Sequence, residues 1–317
     1  SSSSSSSSAG SVATTTAAPA ALPGQNYLHL PPQPGALFCF ALMLPFGYEP
    51  VLLAMQYTER RSLFACDQAA IFSNKSLEVV PGLRTNLVNK SLSCKLGGEF
   101  KTALNTAIFD AVWSKVIDDG IFKLYSWTVK VDPDCVFFPS RLRLALQSHS
   151  DEGSHGVYLN NCKFGLHGPL EVLSRQAVKV WGWGRDLCHQ HFEKLCNGDC
   201  LWGEDMFIDQ CFNRVLGPRR EDDFTLLMED HCDPPPDWKE CTNTTMVAFH
   251  PFKTHSSYQT CLTASARAAG APIPASTAAA ALAVAEATGG AGGYTPPTPP
   301  PTPPPLPYDC NAGFNNW

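Results

Sequence analysis

Charge is what this 317-residue chain lacks over much of its length. Outside residues 37–261 the other 92 positions carry three charged side chains, Arg267, Glu286 and Asp309, against 49 inside. Those flanks are low in complexity, opening with Ser1–Ser8 and including nine prolines between Pro296 and Pro307. Such segments bury too little apolar surface to offset the entropy of ordering a backbone. Long apolar runs are missing as well. Near the start the longest, Ala36–Leu44, has nine residues, about half of a membrane span. No positively charged stretch precedes it, which argues against a signal peptide. An excess of positive charge is also absent: 23 Lys and Arg stand against 29 Asp and Glu, a net of −6, which argues against binding nucleic acid through its phosphates. The first residue is not methionine, so the chain reads as a piece of a longer one.

What remains is one globular unit, residues 37–261, large enough for a single α/β domain with a filled core. It is expected between a disordered Ser/Ala/Pro-rich arm (1–36) and an Ala/Gly then Pro/Thr-rich linker (262–307). Residues 308–317 read as the truncated start of a Cys-rich segment. Cysteine is abundant: thirteen in all, twelve within the unit, with Cys310 left over in the tail. An even set in the unit suits disulfides and an oxidising compartment. The sequons at Asn74, Asn89 and Asn243 agree with a secretory location.

Hydrophobic patterning predicts alternating strands and helices. Leu37–Leu44 is a continuous apolar run, as in a strand buried on both faces of a mainly parallel sheet. Glu49–Arg60 has loosely helical spacing, and Ser62–Cys66 and Ala70–Ser73 look like short strands flanking Asp67. Helices are predicted over Glu99–Asp118, with Gly120 just beyond, and over Glu204–Leu216, stopped by Gly217 and Pro218. Between them a strand alternates through Trp127, Val129 and Val131. This order indicates an α/β layered domain.

Three features carry chemistry. Asp132–Pro133–Asp134 follows the Tyr125–Val131 strand and precedes the apolar run Cys135–Phe138. Two carboxylates one residue apart at a strand end can face the crevice where open α/β sheets bind ligands. Magnesium or manganese takes such oxygens and bridges to phosphates, although a solvated Asp-Pro turn is the plainer alternative. Next, Trp202–Gly203–Glu204–Asp205 opens a helix. Glu204 and Asp205 either complement the helix dipole or act as a general base, with Asp209 one turn on as a competitor. Third, His250 ends the run Met246–Phe249 and is either a nitrogen ligand to the same metal or a structural histidine. Cys188, His189, His191, Cys196 and Cys200 are zinc-ligand types, but their spacing fits no standard module and disulfides are expected instead. Trp181 and Trp183 could stack on a sugar or pack in the core.

Taken in order, Phe64–Asp67, Val129–Asp134, Gly168–Ser174, Gly203–Phe207 and His250–Lys253 resemble segments of GT-A-fold glycosyltransferases. The nearest resemblance is to the fringe and β-1,3-galactosyltransferase-like group, over most of residues 37–255. It implies a Rossmann-like nucleotide-sugar-binding domain, an inverting hexosyltransferase with a UDP-sugar donor, Mn2+ or Mg2+ as cofactor, a glycan or glycoprotein acceptor and a Golgi lumenal setting. By resemblance, Asp134 and Asp132 are the metal-binding carboxylates and His250 the C-terminal metal ligand. Asp132 also lies near the donor ribose, and Asp205 is the base with Glu204 beside it. Gly168 belongs to the segment lining the donor sugar and acceptor site, and Asp67 sits near the nucleotide base; Lys253, read from the residues, either adds a positive charge near the phosphates or is a plain exposed lysine. Pro133 departs from the group, which usually has an acidic or small polar residue there. Two other classes compete: a non-catalytic carbohydrate-binding or scaffold domain of the same fold, and a glycoside hydrolase, which would need neither nucleotide nor metal.

Overall fold

The computed structural model describes residues 35–98, 101–150, 153–198 and 200–271. Apart from residues 35–36 and 262–271, the expected arm, linker and Cys310 segment lie outside the described residues. In chain order the main elements are β1 (Leu37–Leu42), α1 (Glu49–Thr58), β2 (Gln68–Ser73), β3 (Asn86–Leu87), α2 (Thr106–Asp119), β4 (Trp127–Val131), β5 (Val136–Phe137) and α3 (Pro139–Ala145). There follow β6 (Val157–Asn160), β7 (Leu170–Ser174), α4 (Arg175–Leu195), α5 (Glu204–Cys211), β8 (Arg219–Asp222), β9 (Leu227–Glu229), β10 (Ala248–His250) and α6 (His255–Ala268).

Seven strands form one mostly parallel sheet in the order β8-β6-β7-β4-β1-β2-β3, so the chain has the α/β architecture its patterning predicts. Alternate residues of β1 serve opposite faces. Phe38, Phe40 and Leu42 pack with Trp113 of α2, Trp181 of α4 and Ile208 of α5. Leu37, Cys39 and Ala41 pack with Leu53 of α1 and Leu142 of α3. Burial on both faces is why the strand reads as an unbroken apolar run.

One strand is reversed, and it builds the crevice. β7 runs antiparallel to β4, with Leu170 opposite Val131. Residues entering β7 therefore meet residues leaving β4 at one edge, and Asp132 N–H donates to Pro169 O at 3.0 Å. A second, three-stranded sheet in the order β9-β10-β5 sits beside that edge. Its parallel register places Glu229 opposite His250, and Phe252 N–H donates to Asp134 O at 2.9 Å.

Several local expectations are corrected. Glu99 and Phe100 lie outside the described residues, and α2 begins at Thr106 because Thr102–Ala103 pairs with Leu96–Gly97 as a hairpin. Ser62–Ala65 is a 3-10 turn, entered through Ser62 at φ 51°, rather than a strand. The α5 helix ends at Cys211 and continues as a π-helical turn, Phe212–Leu216. Folded structure runs past residue 261, since α6 reaches Ala268. The patterning does not predict α4, the longest helix among the described residues. Its Trp181-Gly182-Trp183-Gly184 stretch interrupts the apolar pattern, yet Gly184 lets Leu216 pack close, since a Cβ there would stand 2.4 Å from the Leu216 Cδ2 and force that side chain to shift.

Among the described residues the disulfides are Cys39–Cys66, Cys162–Cys232, Cys188–Cys211, Cys196–Cys200 and Cys241–Cys261. Cys188, Cys196 and Cys200 are thus cystines, not a zinc site. Cys135 is a buried free thiol, so the twelve cysteines of the unit do not pair evenly among themselves. Of the sequon asparagines, Asn89 and Asn243 are exposed and Asn74 is half-buried. Among the described residues no helix is long and apolar enough to cross a membrane.

Trp181 is buried against Phe207 and Phe212, whereas Trp183 is 64% exposed. Trp181→Ala is therefore expected to cost about 3–5 kcal/mol in denaturant unfolding and Trp183→Ala within about 0.5 kcal/mol. Equal losses would place both rings in the core.

Candidate active site

The end of β4 and the end of β10 converge on one cleft. Asp132, Asp134 and His250 each offer a ligand atom, all within 4.8 Å of one another. His250 is 2% exposed; its Nδ1 lies 3.0 Å from Glu229 Oε2, while Nε2 has no hydrogen-bond partner and stands 3.5 Å from Asp134 Oδ1. A carboxylate on one ring nitrogen fixes the tautomer and turns the other nitrogen's lone pair toward a cation. The Glu229 carboxylate also bonds His167 Nδ1 through Oε1. Tyr48 hydroxyl lies 3.4 Å from Asp134 Oδ2, and Lys253 Nζ lies 5.6 Å from the Tyr48 ring centroid.

Electrostatics tie this group together. Burial works against the ionised Asp134, but His250 outweighs it and holds the carboxyl below its usual range. Burial also opposes an imidazolium at His250, yet Asp134 and Glu229 push its pKa up to about 10. Glu229 is depressed despite burial by its bonds to His167 and His250. Burial raises the Asp132 carboxyl, partly offset by Lys130.

The other wall of the cleft comes from β4, β7 and the start of α5. Lys130 faces Glu171 directly across the β4–β7 pair. Glu204 accepts from Trp113 Nε1 at 3.0 Å and lies 3.8 Å from Lys130 Nζ. Burial raises both Glu171 and Glu204; Glu204 pushes Glu171 up further, whereas Lys130 and hydrogen bonding to Glu171 and Trp113 partly offset the rise at Glu204, so these two carboxyls do not ionise independently. Burial disfavours the charged ammonium, but Asp132, Glu171 and Glu204 together hold Lys130 protonated well above its usual range. Asp205, beside Glu204, points elsewhere. It is half-buried at the cleft wall and accepts from Gly168 N–H at 3.0 Å and Met206 N–H at 2.8 Å.

Asp132, Gly168, Glu204, Asp205 and His250 therefore line one cleft, with Asp134 and Lys253 next to it. Asp67 does not join them. It precedes β2, which is parallel to β4, so it lies at the opposite edge of the sheet, where its carboxylate accepts from Leu37 N–H at 2.7 Å and Arg143 at 3.0 Å. The structure therefore does not bring Asp67 to the cleft with the other residues. Asp209 is also removed from the cleft: it is 2% exposed and bonded to Tyr158 hydroxyl at 2.7 Å. Lys130, Glu171, His167 and Glu229 escaped the sequence reading. The signal for the first two was available, since each is a charged residue inside an apolar strand and needs a buried partner.

Cys162, His167 and Cys232 form a second grouping of metal-ligand type, but its two sulfurs are joined as a disulfide. Comparison with known proteins adds little. No protein-family model and no curated protein matches the chain. Among solved structures it is similar to one described as a glycosyltransferase involved in the glycosylation of the major capsid of PBCV-1. That likeness has 10% identity and a TM-score of 0.33, over 61% of this chain and 84% of that chain. At that TM-score it bears on neither fold nor activity.

The charged array predicts a pH dependence of folding in the presence of chelator. Glu229 sits below its ordinary 4.5, so its contribution is complete above pH 4.5 and is lost as the pH falls. His250 is raised from 6.5 to about 10, so its contribution is complete below pH 6.5 and is lost as the pH rises through about 10. The array is expected to stabilise most between about pH 4.5 and 6.5. Urea unfolding of Glu229→Gln should show both limbs flattened; limbs as steep as wild type would remove Glu229 from this role.

Proposed function

We propose that the protein is a metal-dependent glycosyltransferase that moves a sugar, in the first instance a hexose from UDP, to a hydroxyl of a glycan or glycoprotein. The observation that carries this reading is the cleft itself, where a carboxylate pair and an oriented histidine face an acidic helix start. The donor set fits a divalent cation of the magnesium or manganese kind, because two carboxylates and one imidazole converge and His250 Nε2 is buried without a hydrogen-bond partner. Asp132, Asp134 and His250 would hold it, and Glu229 would orient His250. When bound, such a cation offsets the charge that builds on a diphosphate leaving group.

The chain's own groups would do the rest. Asp205 would accept the proton of the acceptor hydroxyl as it attacks the anomeric carbon with inversion, held in place by Gly168 N–H. Lys253 and Tyr48, beside Asp134, would meet the phosphates. Glu204 is turned into the Trp113 and Lys130 contacts and would support Asp205 rather than share its role. The five disulfides among the described residues support an oxidising, lumenal setting, for which the Golgi is our proposal.

Release of nucleoside diphosphate from a panel of sugar nucleotides, with acceptor glycans, should be donor-selective, sensitive to chelator and abolished in Asp134→Ala. Asp205→Asn should lower turnover by about 100-fold to 10,000-fold. Substantial turnover in Asp205→Asn would remove the base assignment and favour retention of configuration. No release, together with no metal-dependent nucleotide binding, would leave a non-catalytic carbohydrate-binding or scaffold domain.

A further inference from the structure

Lys130 stands within β4 with 3% of its side chain exposed, and its ammonium meets oxygens of four other residues. It donates to Gly168 O at 2.6 Å and lies 3.1 Å from Asp132 Oδ1, 3.4 Å from Glu171 Oε1 and 3.8 Å from Glu204 Oε2. The Phe109 ring closes another side, its centroid 4.4 Å from Nζ. A mere counter-charge for Glu171 and Glu204 would need only proximity to them. The shortest contact instead goes to a neutral carbonyl, and the same glycine's N–H donates to Asp205 Oδ2 at 3.0 Å. Gly168 is thus clamped between Lys130 and Asp205. A Cβ there would stand 3.2 Å from Nζ and 3.5 Å from Asp205 Oδ2, so little slack remains.

We propose that Lys130 is a positioning residue that aims the Asp132 carboxylate at the cation site and, through Gly168, sets Asp205 over the cleft. One ammonium then places both a ligand of the metal and the base. The inference rests on the transferase reading, and its metal arm can be read without turnover.

The test separates positioning from charge balance. Lys130→Met combined with Glu171→Gln removes the buried ammonium together with one of the two raised carboxyls that face it, each replaced by a side chain of similar shape. Thermal unfolding, Mn2+ affinity by electron paramagnetic resonance titration, and the kcat and KM of diphosphate release are measured beside wild type. The double variant should unfold near the wild-type temperature, bind Mn2+ about 10-fold to 100-fold more weakly, and lose about 100-fold in kcat with a smaller change in donor KM. Wild-type Mn2+ affinity and kcat in a stable double variant would overturn the proposal and leave Lys130 a counter-charge. Should that variant fail to fold, Gly168→Ala carries the test, since it crowds Lys130 with every charge retained. Weaker Mn2+ binding would support the proposal, and unchanged Mn2+ binding with unchanged kcat would overturn it. If wild type releases diphosphate from no donor, the transferase reading fails, and the Mn2+ affinities still decide whether Lys130 holds Asp132. A wild-type chain that binds no Mn2+ overturns both.

Discussion

A lysine and a glutamate opposite each other in the middle of a sheet are the constraint around which the cleft is organised. Lys130 and Glu171 occupy one cross-strand position of β4 and β7 and are almost wholly buried. A buried ion loses several kcal/mol of hydration, which only close partners of opposite charge can offset. Glu204, Asp132 and the Gly168 carbonyl complete that shell. Each of these groups belongs to a segment that also contributes to the cleft. The requirement to compensate buried charge and the assembly of the site are thus met by the same atoms.

The backbone supplies the rest of the geometry through two departures from a simple parallel sheet. Reversal of β7 brings the Gly168–Pro169 entry beside the Asp132 exit, where a parallel strand would have placed it at the far edge. The small sheet then carries His250 to Asp134, with Glu229 in register beside it. Neither segment could hold its charged residues alone. His167, Glu229, His250 and Asp134 form a continuous line of contacts that alternates imidazole and carboxylate. Such an array is stiff because each side chain is fixed from both sides, a useful property in a site meant to hold a cation at fixed geometry.

Much of this was legible in the residues alone, for identifiable reasons. The strand at Trp127–Val131 and the helix starts at Glu49 and Glu204 were visible because their apolar spacing or capping residues lie within the segment itself. The start of α2 was not, because a hairpin contact with Leu96–Gly97, non-local to the helix, takes the residues before it. Asp132, Asp134, Asp205 and His250 could be picked out as strand-end and helix-start acids and a strand-end histidine. Asp67 has the same local appearance, a carboxylate beside a strand. Only the direction of β2 in the sheet shows that it belongs to the other edge.

The sequence by itself determined which segments are apolar enough to pack, where turns interrupt them and which residues could bear charge in a site. Those properties depend on the chemistry of each side chain and its near neighbours. Tertiary structure alone decided which charges face one another. Lys130 and Glu171 are far apart along the chain, as are Glu229 and His250, and strand register makes each pair adjacent. Register is a property of two strands at once, set by the burial of both faces, and no single stretch of chain contains it.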